Sequence, residues 1–344
     1  MADDLIVVKR VPLNAETPPP QLTEPVTPSS GVYVRTNFGV PDLSGREHRI
    51  GVAGAVRAPR VLSARDLLGL PQRSVTCTME CAGNDRVGIL PLPQGEPWGG
   101  GALSTAVWTG VPLSELLDGA DLSPDAVEVL VEGADGGRRD DAPGLVTFGR
   151  ALSLAEARSP DVLLALEMNG RPLAPEHGAP VRLVVPGWYG MASVKWVSRI
   201  TVLTEPYTGY FQTRRYIYDD GDGIRPVTRV RVKSIIAWPA SGAVLPVGTA
   251  DVWGWAWSGE GAIRSVELSQ HGGDDGWQPA TLEPPASPYA WARWHRQMHF
   301  AEPGRYVLRS RASDAAGNVQ PSVAPWNRLG YGNNAIRTVL IDVR

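Results

Sequence analysis

The run Thr76-Cys77-Thr78-Met79-Glu80-Cys81-Ala82-Gly83-Asn84-Asp85-Arg86 holds both cysteines of a 344-residue chain. Its strand-like half breaks at Cys81 into small residues, which predicts a thiol exposed at a strand end. A thiolate is a soft ligand suited to a late or high-valent metal, and nearby guanidinium charge lowers a cysteine's pKa. The competing reading is a buried structural cysteine, the commoner state of this residue. Cys77, among polar neighbours on the alternating strand, takes that reading. Zinc is the weaker metal, because three residues separate the cysteines and no second ligand pair follows at finger spacing. The five histidines make no HExxH or paired motif. His295 and His299 are four apart, but in a segment of strand-forming aromatics. A cysteine hydrolase would need a histidine partner and an oxyanion hole, which the sequence neither supplies nor excludes. It contains no CxxCH haem attachment, GxSxG elbow, Walker loop or dinucleotide fingerprint.

A second set of residues is cationic: Arg35, Arg86, Arg182, Lys195, Arg214 and Arg215. Each alone reads as an ordinary surface charge. Converging on one pocket, they would bind a phosphate-bearing cofactor and a small oxyanion, since arginine forks match both geometries. The anion site must be local, because 33 basic against 36 acidic residues leave a net charge of −3. That balance gives no reason to expect nucleic acid or an anionic membrane as partner. The two cysteines are too close in sequence to staple anything and fit reduced thiols. MADDLIVVKR shows no secretory or twin-arginine leader, and no later stretch reaches the ~18 apolar residues of a membrane span. These features lead to the expectation of a soluble, cytoplasmic protein.

The elements that must position these residues fall into two parts. Six prolines between Pro12 and Pro28 favour extended backbone and predict a surface arm, residues 1–30, rather than a helix. In residues 31–223, short strands mix with short helices. Ser153-Leu154-Ala155-Glu156 reads as a capping box, with weaker helix starts at Ser63 before 64–70 and Ser114 before 115–117. Val181, Leu183 and Val185 alternate toward the turn at Pro186-Gly187, as in a strand. Asp219-Asp220-Gly221-Asp222-Gly223 marks a boundary, after which helical periodicity disappears. In residues 224–344, Trp253, Trp255 and Trp257 share one strand face opposite Val252, Gly254 and Ala256. Tyr306, Leu308 and Ala312 oppose Arg305, Arg309 and Arg311, and Val339, Ile341 and Val343 alternate in the last strand. About seven strands in ~115 residues predict an immunoglobulin-like sandwich. The predicted fold class is thus an α+β domain followed by an all-β sandwich.

ECAGNDR (80–86) resembles the CAGNRR segment of sulfite oxidases and plant-type nitrate reductases. It is joined in the same order by YVRTNFGVP (33–41), WGGGALSTAVWTGVPL (98–113), LALEMNGRPLAPEHGAPVRLVVPGWYG (164–190), SVKW (193–196) and AGNVQPSVAPWNRLGYGNN (316–334). The resemblance covers nearly the whole chain and implies a molybdopterin-binding catalytic domain followed by a dimerisation domain. It implies Cys81 as the metal ligand, and no such role for Cys77. Tyr33, Val34, Arg35, Thr36 and Asn37 would cradle the pterin, with Asn37 in place of the family's histidine. Asp135, His177, Arg182, Ser193, Val194 and Lys195 match its other pterin contacts. Arg35, Arg86, Trp98 and Tyr216 match the residues around the substrate.

The activity implied is oxygen-atom transfer converting sulfite to sulfate. Electrons would go to a separate acceptor, because no haem or flavin domain is expected in this chain. A homodimer is the implied assembly. Leu329 stands where sulfite oxidases place a substrate-binding arginine, and Asp85 replaces a positive residue beside Arg86. Both weaken the expected anion pocket, which keeps nitrate or another S- or N-oxide as an alternative. An inactive cofactor-binding module is the alternative of another class.

Overall fold

The computed structural model describes residues 5–43, 47–221, 223–272 and 276–344; Asp222 of the expected boundary lies outside them. Two five-stranded sheets dominate the first part. In one, the cysteine strand Arg73–Glu80 pairs antiparallel with Leu103–Pro112, in register from Arg73 with Gly110 to Glu80 with Leu103. Leu163–Met168, Arg171–Pro172 and Arg182–Val184 complete that sheet. The expected strand at 181–185 is therefore interior: Val181, Leu183 and Val185 fill one core cluster while Val184 enters another. In the other sheet, the long hairpin Glu128–Arg139 with Ala142–Ser153 pairs through Val197–Leu203 to Arg49–Gly54 and Arg60–Ser63.

The helices are short and locally specified. Ser63 caps Ala64–Leu68, with Asp66 answering from the third position in a full capping box. Leu113–Ala120 begins at Pro112, before the expected Ser114, and buries Leu113, Leu116, Leu117 and Ala120 at helical spacing. Its apolar stripe, rather than a cap, sets its place. Ser153 caps Leu154–Ala157 as expected. Glu156 does not reciprocate: its carboxylate accepts from the Trp188 indole at 3.2 Å and pairs with Arg229.

The proline-rich segment is not a surface arm. Ile6–Lys9, Asn14–Glu16 and Val34–Arg35 form a three-stranded antiparallel sheet, and Asn14, Ala15, Thr17 and Thr27 are fully buried. Pro19–Thr23 is a 3-10 turn with proline at its start, where a missing N–H costs nothing. Proline content describes the backbone shape of this segment and says nothing of what covers it. The covering comes from the second part: the Trp255 and Trp291 indoles donate to the carbonyls of Leu22 and Pro25 at 2.6 and 2.9 Å.

The expected boundary is flanked by paired strands, because Ile217–Asp219 runs antiparallel to Ile224–Pro226. Beyond it, a four-stranded and a five-stranded sheet face each other. The strand Gly248–Trp257 divides its faces as the alternation predicts. Val252 and Ala256 enter the sandwich core with Trp294, Phe300, Leu308 and Ile341. Trp255 and Trp257 face the first part, Trp255 stacking on Trp291 at 4.7 Å. A buried polar knot ties the same interface to the end of the cysteine strand. Glu80 accepts from the Trp257 indole at 3.0 Å and the Asn84 amide at 2.9 Å, while Lys233 lies 3.5 Å from Glu80 and 3.6 Å from Asp85. Such a group is tolerable in a core only when each charge is paired. Among the described residues, no helix is long and apolar enough to cross a membrane.

Candidate functional site

Cys81 follows the last residue of its strand, as expected, but its thiol is not on the surface: the residue is 6% exposed. Its N–H donates to the Ala102 carbonyl at 2.8 Å, and its own carbonyl accepts from the Asn84 N–H at 2.8 Å, fixing the turn. Cys81 lines two cavities, of about 580 and 820 Å³, which also share Arg35, Asn37 and Tyr216. Burial pushes the thiol's pKa up, opposed by the Arg35 charge, the Gly83 N–H and Arg86. Cys77 is sealed in the core and pushed up to about 12 by burial, as a structural thiol should be.

The smaller cavity gathers Tyr33, Arg35, Thr36, Asn37, Asp135, His177, Arg182, Ser193, Lys195 and Tyr216. They come from five separate stretches of chain held by both sheets and the turns between them. Gly190 belongs here because a Cβ at that position would lie 2.4 Å from the Tyr33 hydroxyl. The electrostatics are those of an anion site. Arg182 is pushed down to about 10 by burial, and its guanidinium lies over the Trp108 ring at 5.0 Å. His177 is pushed down to about 3 by burial and then by Arg182 and Lys195, so its imidazole is neutral. Burial and the Arg182 charge likewise depress Lys195, whose Nζ donates to the Glu176 carbonyl at 2.9 Å. Asp135 is raised to about 6 by burial, with Lys195 pulling the other way. Asp135 Oδ1 and Arg182 Nε are buried without a hydrogen-bond partner. A buried donor and acceptor left open at one cavity, among three cations, fit a ligand carrying both phosphate and polar ring edges.

Two expected residues do not join this lining. The Val34 backbone pairs with Ala15, and the Val194 carbonyl accepts from the Leu183 N–H at 2.8 Å, both side chains being buried in the core.

The larger cavity holds Arg35, Arg86, Trp98 and Tyr216 with Lys9, Glu96, Arg139, Arg215 and Tyr331. Arg86 is held rigidly: Nη1 donates to the Glu96 carbonyl at 2.6 Å, and Nε and Nη2 donate to the Leu329 carbonyl at 3.3 and 3.2 Å. Its guanidinium lies 5.3 Å from the centre of the Tyr331 ring, which packs on Tyr216 at 5.3 Å. The Asn37 amide donates to the Tyr216 hydroxyl at 3.2 Å.

The two sequence departures act differently from expectation. Asp85 does not line the cavity: its carboxylate is 3.6 Å from Lys233 and 3.4 Å from Arg337, so its charge is compensated behind the site. Leu329 is a core residue whose side chain lines neither cavity, and it contributes its carbonyl to Arg86. Arg328 pairs with Asp219 at 2.6 Å, and the exposed Arg214 lines neither cavity. Sequence reasoning missed Arg139, Lys9 and Tyr331 as lining residues. Tyr331 stood in the GYGNN motif and was findable there. Arg139 and Lys9 sit in no motif, and only the pairing of distant strands brings them in.

Residues 37–211 match the oxidoreductase molybdopterin binding domain, and residues 225–344 the Mo-co oxidoreductase dimerisation domain. The mitochondrial sulfite oxidase of Rattus norvegicus is 37% identical over 96% of this chain, which spans 64% of that protein's length. The sulfite oxidase of Gallus gallus is 34% identical, with 96% of this chain and 76% of that protein covered. Among solved structures, the sulfane dehydrogenase SoxCD from Paracoccus pantotrophus superposes with a TM-score of 0.83 at 32% identity, covering 96% of this chain and 85% of that one. With a thiol at the junction of two cationic cavities, a β-sandwich behind them and these relatives, the chain belongs to the sulfite oxidase family of molybdopterin oxidoreductases.

Proposed function

We propose that the protein oxidises sulfite to sulfate at a molybdopterin-bound molybdenum, works as a homodimer and passes its electrons to a separate acceptor. The observation that carries this reading is the position of Cys81, which among the described residues is the one with a soft donor atom that lines both cavities. The pterin would be held in the smaller cavity. There Arg182 and Lys195 meet the phosphate, and Asp135 Oδ1 meets a ring N–H. His177, kept neutral, offers a hydrogen bond without adding charge. Cys81 Sγ would hold the metal. The bound group supplies the two-electron redox chemistry and the exchange of an oxygen atom with water.

The chain's own contribution is fixed positive charge around the oxyanion. Arg35 is braced by the Asn14 and Asn37 side chains at 3.1 and 2.7 Å, and Arg86 by carbonyls, so neither must reorganise as charge moves. Tyr216 accepts from the Asn37 amide at 3.2 Å and donates to Asn37 Oδ1 only at 3.5 Å, a long bond that its proton would exchange for one to the reacting oxyanion. Trp98, fully buried, closes one wall against water.

The test is metal and pterin analysis of protein made in molybdenum-replete cells, followed by sulfite-dependent reduction of ferricyanide. About one molybdenum per chain with turnover on sulfite is expected. Protein that holds molybdenum, ignores sulfite and is reoxidised by nitrate would assign the site to another oxyanion.

A further inference from the structure

Arg139 ends the strand Glu128–Arg139, and Arg215 ends the turn Phe211–Arg215; both reach the larger cavity. They share one carboxylate, Asp141, which lies 3.8 Å from each. That separation is too long for a hydrogen bond. Asp141 Oδ1 is already engaged by the Tyr210 hydroxyl at 2.6 Å. Arg139 Nε is buried and has no hydrogen-bond partner. By contrast, Arg35 and Arg86 each spend three hydrogen bonds on protein acceptors. Lys9 is neutralised by Glu96 at 3.2 Å. The cavity therefore has an inner pair of braced arginines and an outer pair with donors to spare, and its cations outnumber its carboxylates.

We propose that Arg139 and Arg215 form an outer oxyanion subsite that receives a dianionic, oxygen-rich substrate or product beside the Cys81 centre. This assignment rests on the reading of the larger cavity as the oxyanion site. The subsite supplies the fork donors that the Leu329 side chain, packed in the core, does not. Arginine forks suit it because two adjacent oxygens of a sulfur oxyanion present the spacing of a carboxylate edge. Asp141 acts as the competitor: it holds the pair apart from solvent anions and gives way when a dianion arrives.

The experiment is a sulfate titration by calorimetry of the molybdenum-loaded protein and its variants, with steady-state sulfite kinetics on the same samples. Arg139→Gln and Arg215→Gln are each expected to weaken sulfate binding about tenfold, as for loss of a charge-assisted hydrogen bond. The sulfite KM should rise by a similar factor while kcat stays within about threefold. Arg139→Lys should restore part of the affinity, and Asp141→Asn should strengthen sulfate binding about threefold by removing the competing charge. A purely structural role for the pair would not produce that opposite sign. Wild-type affinity and KM in both glutamine variants, or a fall in kcat alone, would overturn the proposal and leave the sulfite reading standing. If the wild type does not oxidise sulfite, that reading fails, and the sulfate titration alone decides the subsite. Loss of binding in the variants then upholds it, and no binding by the wild type overturns it.

Discussion

The two cavities that meet at Cys81 solve the same problem, holding an anion away from bulk water, in opposite ways. In the smaller one the charges are buried and unsatisfied: Asp135 and Arg182 keep open atoms, and His177 and Lys195 have lost basicity. In the larger one the inner arginines are already bonded to carbonyls and amides before any ligand arrives. The first arrangement is poorly stable without its ligand and should gain folding free energy when filled. The inner pair of the second is indifferent to occupancy and only the outer Arg139 keeps an open donor, which suits a substrate that must leave as product. A resident cofactor and a passing oxyanion thus call for different electrostatics within one site.

Substitution at the shared residue should break the comparison most severely. Cys81→Ser is expected to cost at least about 100-fold in turnover, beyond what outer partners of a metal usually contribute. Fold and pterin content should stay within about twofold of wild type by circular dichroism and pterin fluorescence; loss of the fold would make Cys81 a structural thiol. Next come paired substitutions that separate the cavities. Arg182→Gln should lower pterin and molybdenum content about tenfold or more, without changing the sulfite KM of the loaded fraction. Arg86→Gln should do the reverse, keeping molybdenum while reducing kcat/KM by a comparable factor. Identical effects from the two would erase the distinction.

Leu329→Arg sharpens the boundary of the larger cavity. The site is 4% exposed and its backbone already serves Arg86, so a second guanidinium would be buried beside the first. A loss of about 2 kcal/mol or more in urea denaturation is expected, with no tightening of sulfite KM. A lower KM at full stability would show that this position faces the oxyanion. The smallest effect is the pH response of the cofactor cavity. His177 is held near 3, below its ordinary 6.5, so the folded protein binds fewer protons across that window. Its stabilising contribution is complete above 6.5 and is lost as pH falls toward 3. His177→Asn should flatten that acid-side loss by up to about 1 kcal/mol per pH unit. An unchanged slope would mean that His177 is not buried neutral.

What was legible in the sequence divides along the same line. The lining of the smaller cavity comes from contiguous motifs, so YVRTN, HGAPVR and SVKW together point to Arg35, His177, Arg182 and Lys195 from the sequence alone. Val34 and Val194 were the exceptions, because a motif marks a stretch of chain and not the side that faces the cavity. The larger cavity was half legible: Arg86, Trp98 and Tyr216 sit in motifs, whereas Arg139 enters through a hairpin whose turn carries no chemical signature. Asp85 misled because a charge read in sequence has no direction, and here it points to Lys233 and Arg337. The tryptophan faces of Gly248–Trp257 were readable as alternation. Their partner, the buried proline-rich segment, was not, since nothing in local composition says what will cover it.

The central claim is that Cys81 joins a resident molybdopterin to an oxyanion cavity. Its most direct test is the absorbance change when oxidised, molybdenum-loaded protein is mixed anaerobically with sulfite in a stopped-flow instrument. Rapid and complete reduction in the wild type, absent in Cys81→Ser at equal pterin content, is the predicted result. A wild-type protein that carries stoichiometric molybdenum and shows no change with sulfite would contradict it.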